Sequence, residues 1–563
     1  MPLDSKIRYN NTKYVKQILL LTFVFFAAVG LRAQINEEWV YRYNGPINSD
    51  DYFYSVKTDK LDNVILTGYS QEGTVNKADI LVVKLTPSGQ LIWLKKFNGT
   101  SNQNDYGKNI EVDSENNVYV LGTTINSGTL TDVTAIKLTS AGDLIWLRNY
   151  NAGNDRNDYS KDMIIDSIGN LYITGYSDSA QESSNCITIK YDSTGILLWS
   201  NIYRTNYVSH DRGNKIVFDK NGNIIVTGTG FTQNSGFDYL TIKYDVTGNT
   251  IWAKTFNDEP DISIDNGESV ITDINNNVFV TGSCSNSITF RSNIVTVKYN
   301  SAGQIIWAKK FNGLGNDDDY PVDILVDNSS NIIVGGRTTG FGSSFDYLVL
   351  KYSNNGDSIW NRKYSGPGNY DDILSAVSID NLNNIYVTGD LVSSNSNIFT
   401  VKYNDAGDII WTKSYNGTGN GNDIPNNLFI DNANNLYISG ISLGTNTNLD
   451  AIAIKYSQPI GINPISIDIP KSFKLHQNYP NPFNPVTRIS FEIPVSENGQ
   501  KILSTSLIIY DITGKEVSVL VDEELQPGKY EIDWNAEDLT SGVYFYTLST
   551  GNYKETKKML LIK

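Results

Sequence analysis

Histidine and cysteine are nearly missing from this 563-residue chain, with two of each, and the shortage removes whole classes of chemistry. The histidine outside the C-terminal region is His210, so a Ser-His-Asp triad or a histidine-based zinc site lacks partners. Cys186 and Cys284 fall in different copies of the repeat described below, which excludes a structural disulfide framework. Charge is also scarce, at 19% of residues, and basic side chains are outnumbered, 45 against 61, for a formal charge of -16. Affinity for nucleic acid comes largely from Lys and Arg displacing counterions, so nucleic acid is excluded as a partner. The one long apolar run, Ile18 to Val29, is too short to span a bilayer comfortably, and no transmembrane span is expected in the mature protein. Lys13 and Lys16 precede that run and small residues follow it, which reads as an export signal over residues 1–33. Cleavage is expected after Ala33, with Gly30 as second choice, and the Sec translocase is the implied first partner. No Cys follows either position, which gives no support to a lipoprotein anchor.

Asn, Gly, Ser, Thr and Tyr are abundant, the profile of many short strands joined by turns. A Trp returns every 51 to 55 residues, at Trp39, Trp93, Trp146, Trp199, Trp252, Trp307, Trp360 and Trp411. A period near 50 means one supersecondary unit copied until neighbours bury each other's apolar faces. Four residues after each Trp stands an aromatic, as in Phe97, Tyr150 and Phe256, and an even spacing in a strand puts both on one packing stripe.

Twelve residues after the Trp comes an acid: Asp51, Asp105, Asp158, Asp211, Asp319, Asp372 and Asp423, with Asn266 read as the shifted counterpart in the fifth copy. Eight residues further on stands another Asp, followed four later by Asn, as in Asp113 to Asn117. This D-x-x-x-N pattern between apolar runs predicts a hairpin. A short strand ending in Gly follows, then a variable loop. Next comes a strand with a Lys nine residues before the next Trp, such as Lys84, Lys137 and Lys243. The turn after it, TPSG at Thr86 to Gly89 or DSTG at Asp192 to Gly195, suits a type I turn with a left-handed fourth residue. Each unit is thus expected to hold four strands.

The unit's wording, D-x-x-x-N-[VIL]-[YFI]-[VI]-x-G followed by I-K-[YL]-x-x-x-G, resembles the bacterial SBBP-type β-propeller repeat. The resemblance implies an all-β, eight-bladed β-propeller over residues 34–457. The first copy begins at its Trp strand and the last stops at Lys455, so each end supplies what the other lacks. An N-terminal strand over residues 37–43 is expected to close the last blade, built from residues 424–456. An open solenoid would need atypical caps, which the sequence does not show.

A linker with Pro459, Pro464 and Pro470 is expected over residues 458–470. Beyond it, FKLHQNYPNPFNPVTRISFEIP, LIIYDITGKEV, SGVYFYTLSTG and the final KKMLLIK resemble the type A C-terminal sorting domain of the type IX secretion system. Apolar alternations separated by turn residues predict a small Ig-like β-sandwich at residues 471–563. The resemblance implies that the outer-membrane machinery reads this domain and that it is then removed, leaving the protein secreted or on the cell surface.

The plus-twelve acids carry two open readings. They are expected to ring one mouth of the central channel, where a hard cation such as Ca²⁺ would relieve their repulsion. Alternatively each bonds its own blade's backbone. Two loops that depart from the repeat carry Phe231, Phe237, Phe341 and Phe345, and Arg337 stands where other copies are uncharged. These residues either contact an extracellular glycan or protein ligand or cover a blade edge. Every candidate catalytic Asp recurs from copy to copy, whereas an acid/base pair should break the repeat. The expectation is a non-catalytic binding or scaffold protein. A polysaccharide-degrading enzyme and a purely structural surface-layer component are the alternatives.

Overall fold

The computed structural model describes residues 35–563 apart from 74–76, 154–155, 180–182, 206–209, 259–262, 286–287, 290, 316, 341–343, 394, 459–462, 467–469, 496–502, 526 and 537–538. The expected export signal therefore lies outside the described residues. Every regular element within them is a β-strand, and no helix among them is long and apolar enough to cross a membrane.

Residues 36–457 form eight four-stranded units. Unit one pairs Tyr52–Thr58, Val64–Gln71, Ala78–Leu85 and Leu91–Phe97 antiparallel in chain order. Units two to seven repeat this over residues 106–150, 158–203, 212–256, 263–311, 319–364 and 373–415. A two-residue parallel pairing, Gly236 and Phe237 with Ser263 and Ile264, joins units four and five into one sheet. Unit eight contributes three sequential strands, Asp423–Ile430, Leu436–Leu443 and Leu449–Ser457. Its fourth place is taken by Asn36–Tyr43, antiparallel to Leu449–Ser457.

The middle strands of a unit, VILTGYSQ and ADILVVKL in unit one, are apolar on both faces and buried along most of their length. Such a sheet needs cover on each side, and the neighbouring units supply it. Ile65, Ile80 and Val82 of unit one share a core with Ile110, Val118 and Val120 of unit two. On its other side unit one packs Phe53, Val64 and Leu81 against Tyr437, Ala451 and Ala453 of unit eight. The first strand of each unit packs on the first strand of the next, and that of unit eight packs on that of unit one.

The marker Trp joins neighbouring units. Its ring lies on the turn glycine of the next unit: a Cβ on Gly195 would sit 2.9 Å from Trp146, and one on Gly89 2.7 Å from Trp39. Both glycines are left-handed, with φ of +82° and +81°, so conformation and contact each demand glycine. The indole N–H donates to a carbonyl of the same turn, Trp146 to Ser193 at 3.2 Å and Trp39 to Pro87 at 3.0 Å. The repeat's Lys reaches that carbonyl too, Lys137 to Ser193 and Lys455 to Pro87, both at 3.2 Å. Its ammonium also meets the hairpin Asp of its own unit, as in Lys84–Asp59 at 2.8 Å and Lys243–Asp219 at 2.7 Å. Trp39 and Lys455 thus make across the two chain ends the contacts that other units make in sequence.

The D-x-x-x-N segments form tight hairpins. Asp113 Oδ1 accepts from the N–H of Glu115 and Asn117 at 3.0 and 2.8 Å, and Asn116 takes the left-handed conformation with φ of 63°.

The C-terminal region holds two more four-stranded sheets. Phe491, Ile532 and Trp534 of one share a core with Leu507, Tyr546 and Met559 of the other. The expected linker needs a correction, because Asn463–Ser466 pairs with Gly528–Asn535 as an edge strand. Pro464 lies within that strand, and an edge strand tolerates a missing N–H donor.

Candidate functional site

The plus-twelve acids sit where each first strand begins, and all seven are at most 2% exposed. Their carboxylates accept hydrogen bonds from the loop that enters the unit and, in several copies, from the unit's second strand. Asp51 accepts from the Gly45 and Gln71 N–H groups at 2.5 and 3.0 Å, and Asp105 from Gly99 and Ile125 at 2.5 and 2.8 Å. Asp211 bonds Thr205 and Phe231, and Asp372 bonds Gly366 and Val392. Asp158, Asp319 and Asp423 accept from Ala152, Gly313 and Gly417. Burial raises the Asp51, Asp105, Asp158, Asp319, Asp372 and Asp423 carboxyls, offset in part by these bonds. Among the described residues no three His, Cys, Asp or Glu side chains are grouped to hold a metal ion. In the fifth copy the counterpart is Asp265 rather than Asn266: its carboxylate accepts from the Asp258 N–H at 3.0 Å. The preceding loop there spans seven residues between bonded partners instead of six, which moves the acid one place along.

The loop aromatics form two separate groups. Phe231 and Phe237 pack edge to face at 5.3 Å, and Phe237 stacks on His210 at 6.3 Å. Arg337 lies over Tyr320 and Phe345, at 5.2 and 5.1 Å. Phe341 falls outside the described residues.

A third constellation, whose residues change from copy to copy, stands immediately beside the acids. Successive strand residues face opposite sides, so the residue after each Asp points away from the backbone-bound carboxylate. This position reads Tyr52, Tyr106, Tyr159, Arg212, Tyr320, Ile373 and Ile424 in the units with a regular loop. Its cross-strand partners vary equally, including Tyr69, Tyr176, Arg337 and Asp390. A bulge follows in every first strand, as between Phe53 and Ser55 or Gly107 and Asn109, and re-aims the next side chains.

In units one and two these positions form a tyrosine cluster. Tyr52 stacks on Tyr69 at 4.8 Å and on Tyr54 at 5.8 Å, and Tyr69 meets Tyr106 edge-on at 5.1 Å. Beside it, Tyr54, Tyr106, Lys108, Asn109 and Asn426 line a cavity of about 470 Å³. These residues come from the first strands of units eight, one and two. The amides are oriented: Asn426 donates to the Phe53 carbonyl at 2.9 Å and Asn109 to Asp162 Oδ1 at 2.8 Å. Lys108 donates to the Ser160 carbonyl at 3.2 Å. Burial, then the nearby Lys161, pulls the Lys108 ammonium down to about 8, and burial pushes the Tyr54 hydroxyl up to about 12. Such a site offers aromatic faces, amide donors and acceptors, and one poorly solvated cation.

Residues 92–128 match the family model of the SBBP β-propeller repeat, and residues 477–563 match that of the secretion system C-terminal sorting domain. No curated protein matches the chain. Among solved structures it is similar to the WD40 domain of SCAP from fission yeast, at 7% identity and a TM-score of 0.40, covering 75% of this chain and 97% of that one. It is also similar to the β-propeller domain of the Trilobed protease from Pyrococcus furiosus, at 11% identity and a TM-score of 0.38, covering 63% and 95%. A protein of unknown function from Dyadobacter fermentans aligns at 9% identity and a TM-score of 0.36, covering 75% and 99%. Residues 92–128 thus carry a β-propeller repeat of the SBBP type, and the sorting domain at residues 477–563 indicates export to the cell surface or secretion through the type IX system.

Proposed function

We propose that the protein is an eight-bladed β-propeller, closed by its N-terminal strand and carried out of the cell by an Ig-like sorting domain, that works as a non-catalytic binding module. Support for the ring comes from the cyclic packing of the first strands and from Trp39 and Lys455 meeting the turn of unit one. The binding reading rests on one observation: the tyrosine-lined cavity lies where the repeat stops repeating. A scaffold position is free to vary only where it does not hold the scaffold, so a coherent cluster of Tyr, Lys and Asn at such positions marks a ligand surface. The acids, by contrast, are engaged by their own backbones, which leaves little for acid/base catalysis. An array of soluble glycans and surface proteins, read beside a reducing-sugar assay, tests the proposal. Binding without release of reducing ends is the expected result. Turnover would favour the enzyme reading, and neither binding nor turnover would favour a structural surface component.

A further inference from the structure

We propose that the cavity between units eight, one and two, continued by Lys161 and Arg212, holds a stretch of acidic saccharide, with a sugar carboxylate at Lys108 Nζ and sugar faces against Tyr54 and Tyr106. The inference deepens the binding reading above and rests on it. It starts from a local reversal of charge. In a chain of formal charge -16, Lys108 and Lys161 hold equivalent places in the first strands of units two and three, and Arg212 stands two places earlier in that of unit four. Among the described residues no carboxylate forms an ion pair with any of the three. Aromatic faces accompany two of them instead: Arg212 lies 4.7 Å and Lys161 5.9 Å from the Tyr176 ring. The acids nearest the strip are Asp162, which accepts from Asn109 and belongs to a buried group with Glu111 and Lys215, Asp178, facing Tyr159 and Tyr176, and Glu268, facing Lys161.

Lys108 is the decisive group. Its ammonium is partly buried, touches a carbonyl, shares the cavity with Tyr54 and Tyr106, and feels the charge of nearby Lys161. A neutral ligand would bury that charge further without pairing it, which is unfavourable. An incoming carboxylate pairs it and offsets the repulsion from Lys161. Tyr54 and Tyr106 supply flat faces for a sugar ring, while the Asn109 and Asn426 amides are fixed by their bonds to Asp162 and Phe53. One carboxylate per sugar also suits this protein better than the dense charge of a nucleic acid, which the overall negative field repels.

Calorimetric titration of the exported chain with a panel of uronate oligosaccharides, their neutral counterparts of equal length and a short single-stranded DNA tests the assignment. A uronate oligosaccharide should bind about 10-fold or more tightly than its neutral counterpart, the worth of one charge-assisted hydrogen bond. Lys108→Gln should erase that preference and Lys108→Arg should keep it, with melting temperatures confirming that both fold. Tyr106→Ala should weaken acidic and neutral sugars alike. Between pH 8 and 10 the preference should fade, because free Lys108 gives up its proton before the paired form does. Equal affinity for acidic and neutral sugars would overturn the carboxylate assignment yet leave a saccharide-binding propeller. Tighter binding of DNA would overturn it in favour of phosphate. Silence toward every probe would sink the inference, and a blank array would take the binding reading with it.

Discussion

Trp39→Ala probes the seam between the chain ends. The Trp39 ring rests on Gly89 and its indole N–H donates to the Pro87 carbonyl at 3.0 Å, so one substitution removes a packing surface and a hydrogen bond between units eight and one. Truncating a fully buried Trp costs about 3–5 kcal/mol. Trp39 is half-buried, which scales that figure to about 2, and the solvent-accessible hydrogen bond adds about 0.5–1 kcal/mol. The expected loss is therefore about 2–3 kcal/mol, against roughly 4 or more for the interior Trp146, which is 4% exposed. Urea unfolding followed by near-ultraviolet circular dichroism measures both values. Amide exchange then locates the loosening, which should concentrate in Val64–Gln71 and Leu436–Leu443, the strands flanking the seam. If Trp39→Ala leaves the urea midpoint and the exchange of both strands unchanged while Trp146→Ala lowers the midpoint, the seam carries no load and the ring reasoning fails.

Gly195→Ala should destabilise by about 2–4 kcal/mol in the same urea assay, since its Cβ must displace the Trp146 ring and adopt a left-handed φ. Lys84→Met leaves the Asp59 carboxylate buried without its cation and should cost about 3–5 kcal/mol, while adding Asp59→Asn should recover part of that loss. Burial raises Asp265 and Asp390 to about 6 from 3.8, so the folded state binds protons more tightly between these values. Stability should then rise as pH falls through 6 and level off near 4, by on the order of 1 kcal/mol per group after screening. Melting scans at pH 5 and 7 should show this gain, and Asp265→Asn with Asp390→Asn should remove the share of these two groups, leaving that of Asp79, which burial also raises to about 6. Asp105→Asn keeps one acceptor of two and should cost about 1–2 kcal/mol with no change in calcium response, because Asp105 is already bonded to Gly99 and Ile125. A calcium-dependent melting shift lost in that variant would restore the cation reading.

The scaffold was legible because it repeats. The Asp of each D-x-x-x-N hairpin, the turn glycine and the marker Trp each meet one local demand, and meeting it in copy after copy makes the demand visible. What a single copy does not reveal is how copies meet. That the Trp of one unit covers the glycine of the next, as Trp146 does Gly195, is a relation between residues of neighbouring periods. The joint role of Lys84, neutralising Asp59 and bonding the Ser140 carbonyl, is hidden for the same reason. The misplacement of the fifth acid onto Asn266 shows the opposite limit, since a loop longer by one residue shifts the pattern without changing its physics.

The candidate site was less legible in the sequence because its residues do not recur. Recurrence selects residues that every unit needs, and a residue every unit needs is held by the backbone beside it, as Asp105 is by Gly99 and Ile125. A ligand that spans several units breaks their equivalence, so the residues that touch it must differ from copy to copy while facing the same way. In the units with a regular loop, position thirteen satisfies both conditions: it changes from Tyr106 to Arg212 to Ile424, yet follows the bound acid and precedes the bulge. In a repeat protein the informative question is therefore which variable positions share a direction. Here Tyr106 at that position joins Tyr54, Lys108 and Asn426, each two places further along at the bulge, and Asn109 beside them, residues from three units around one cavity.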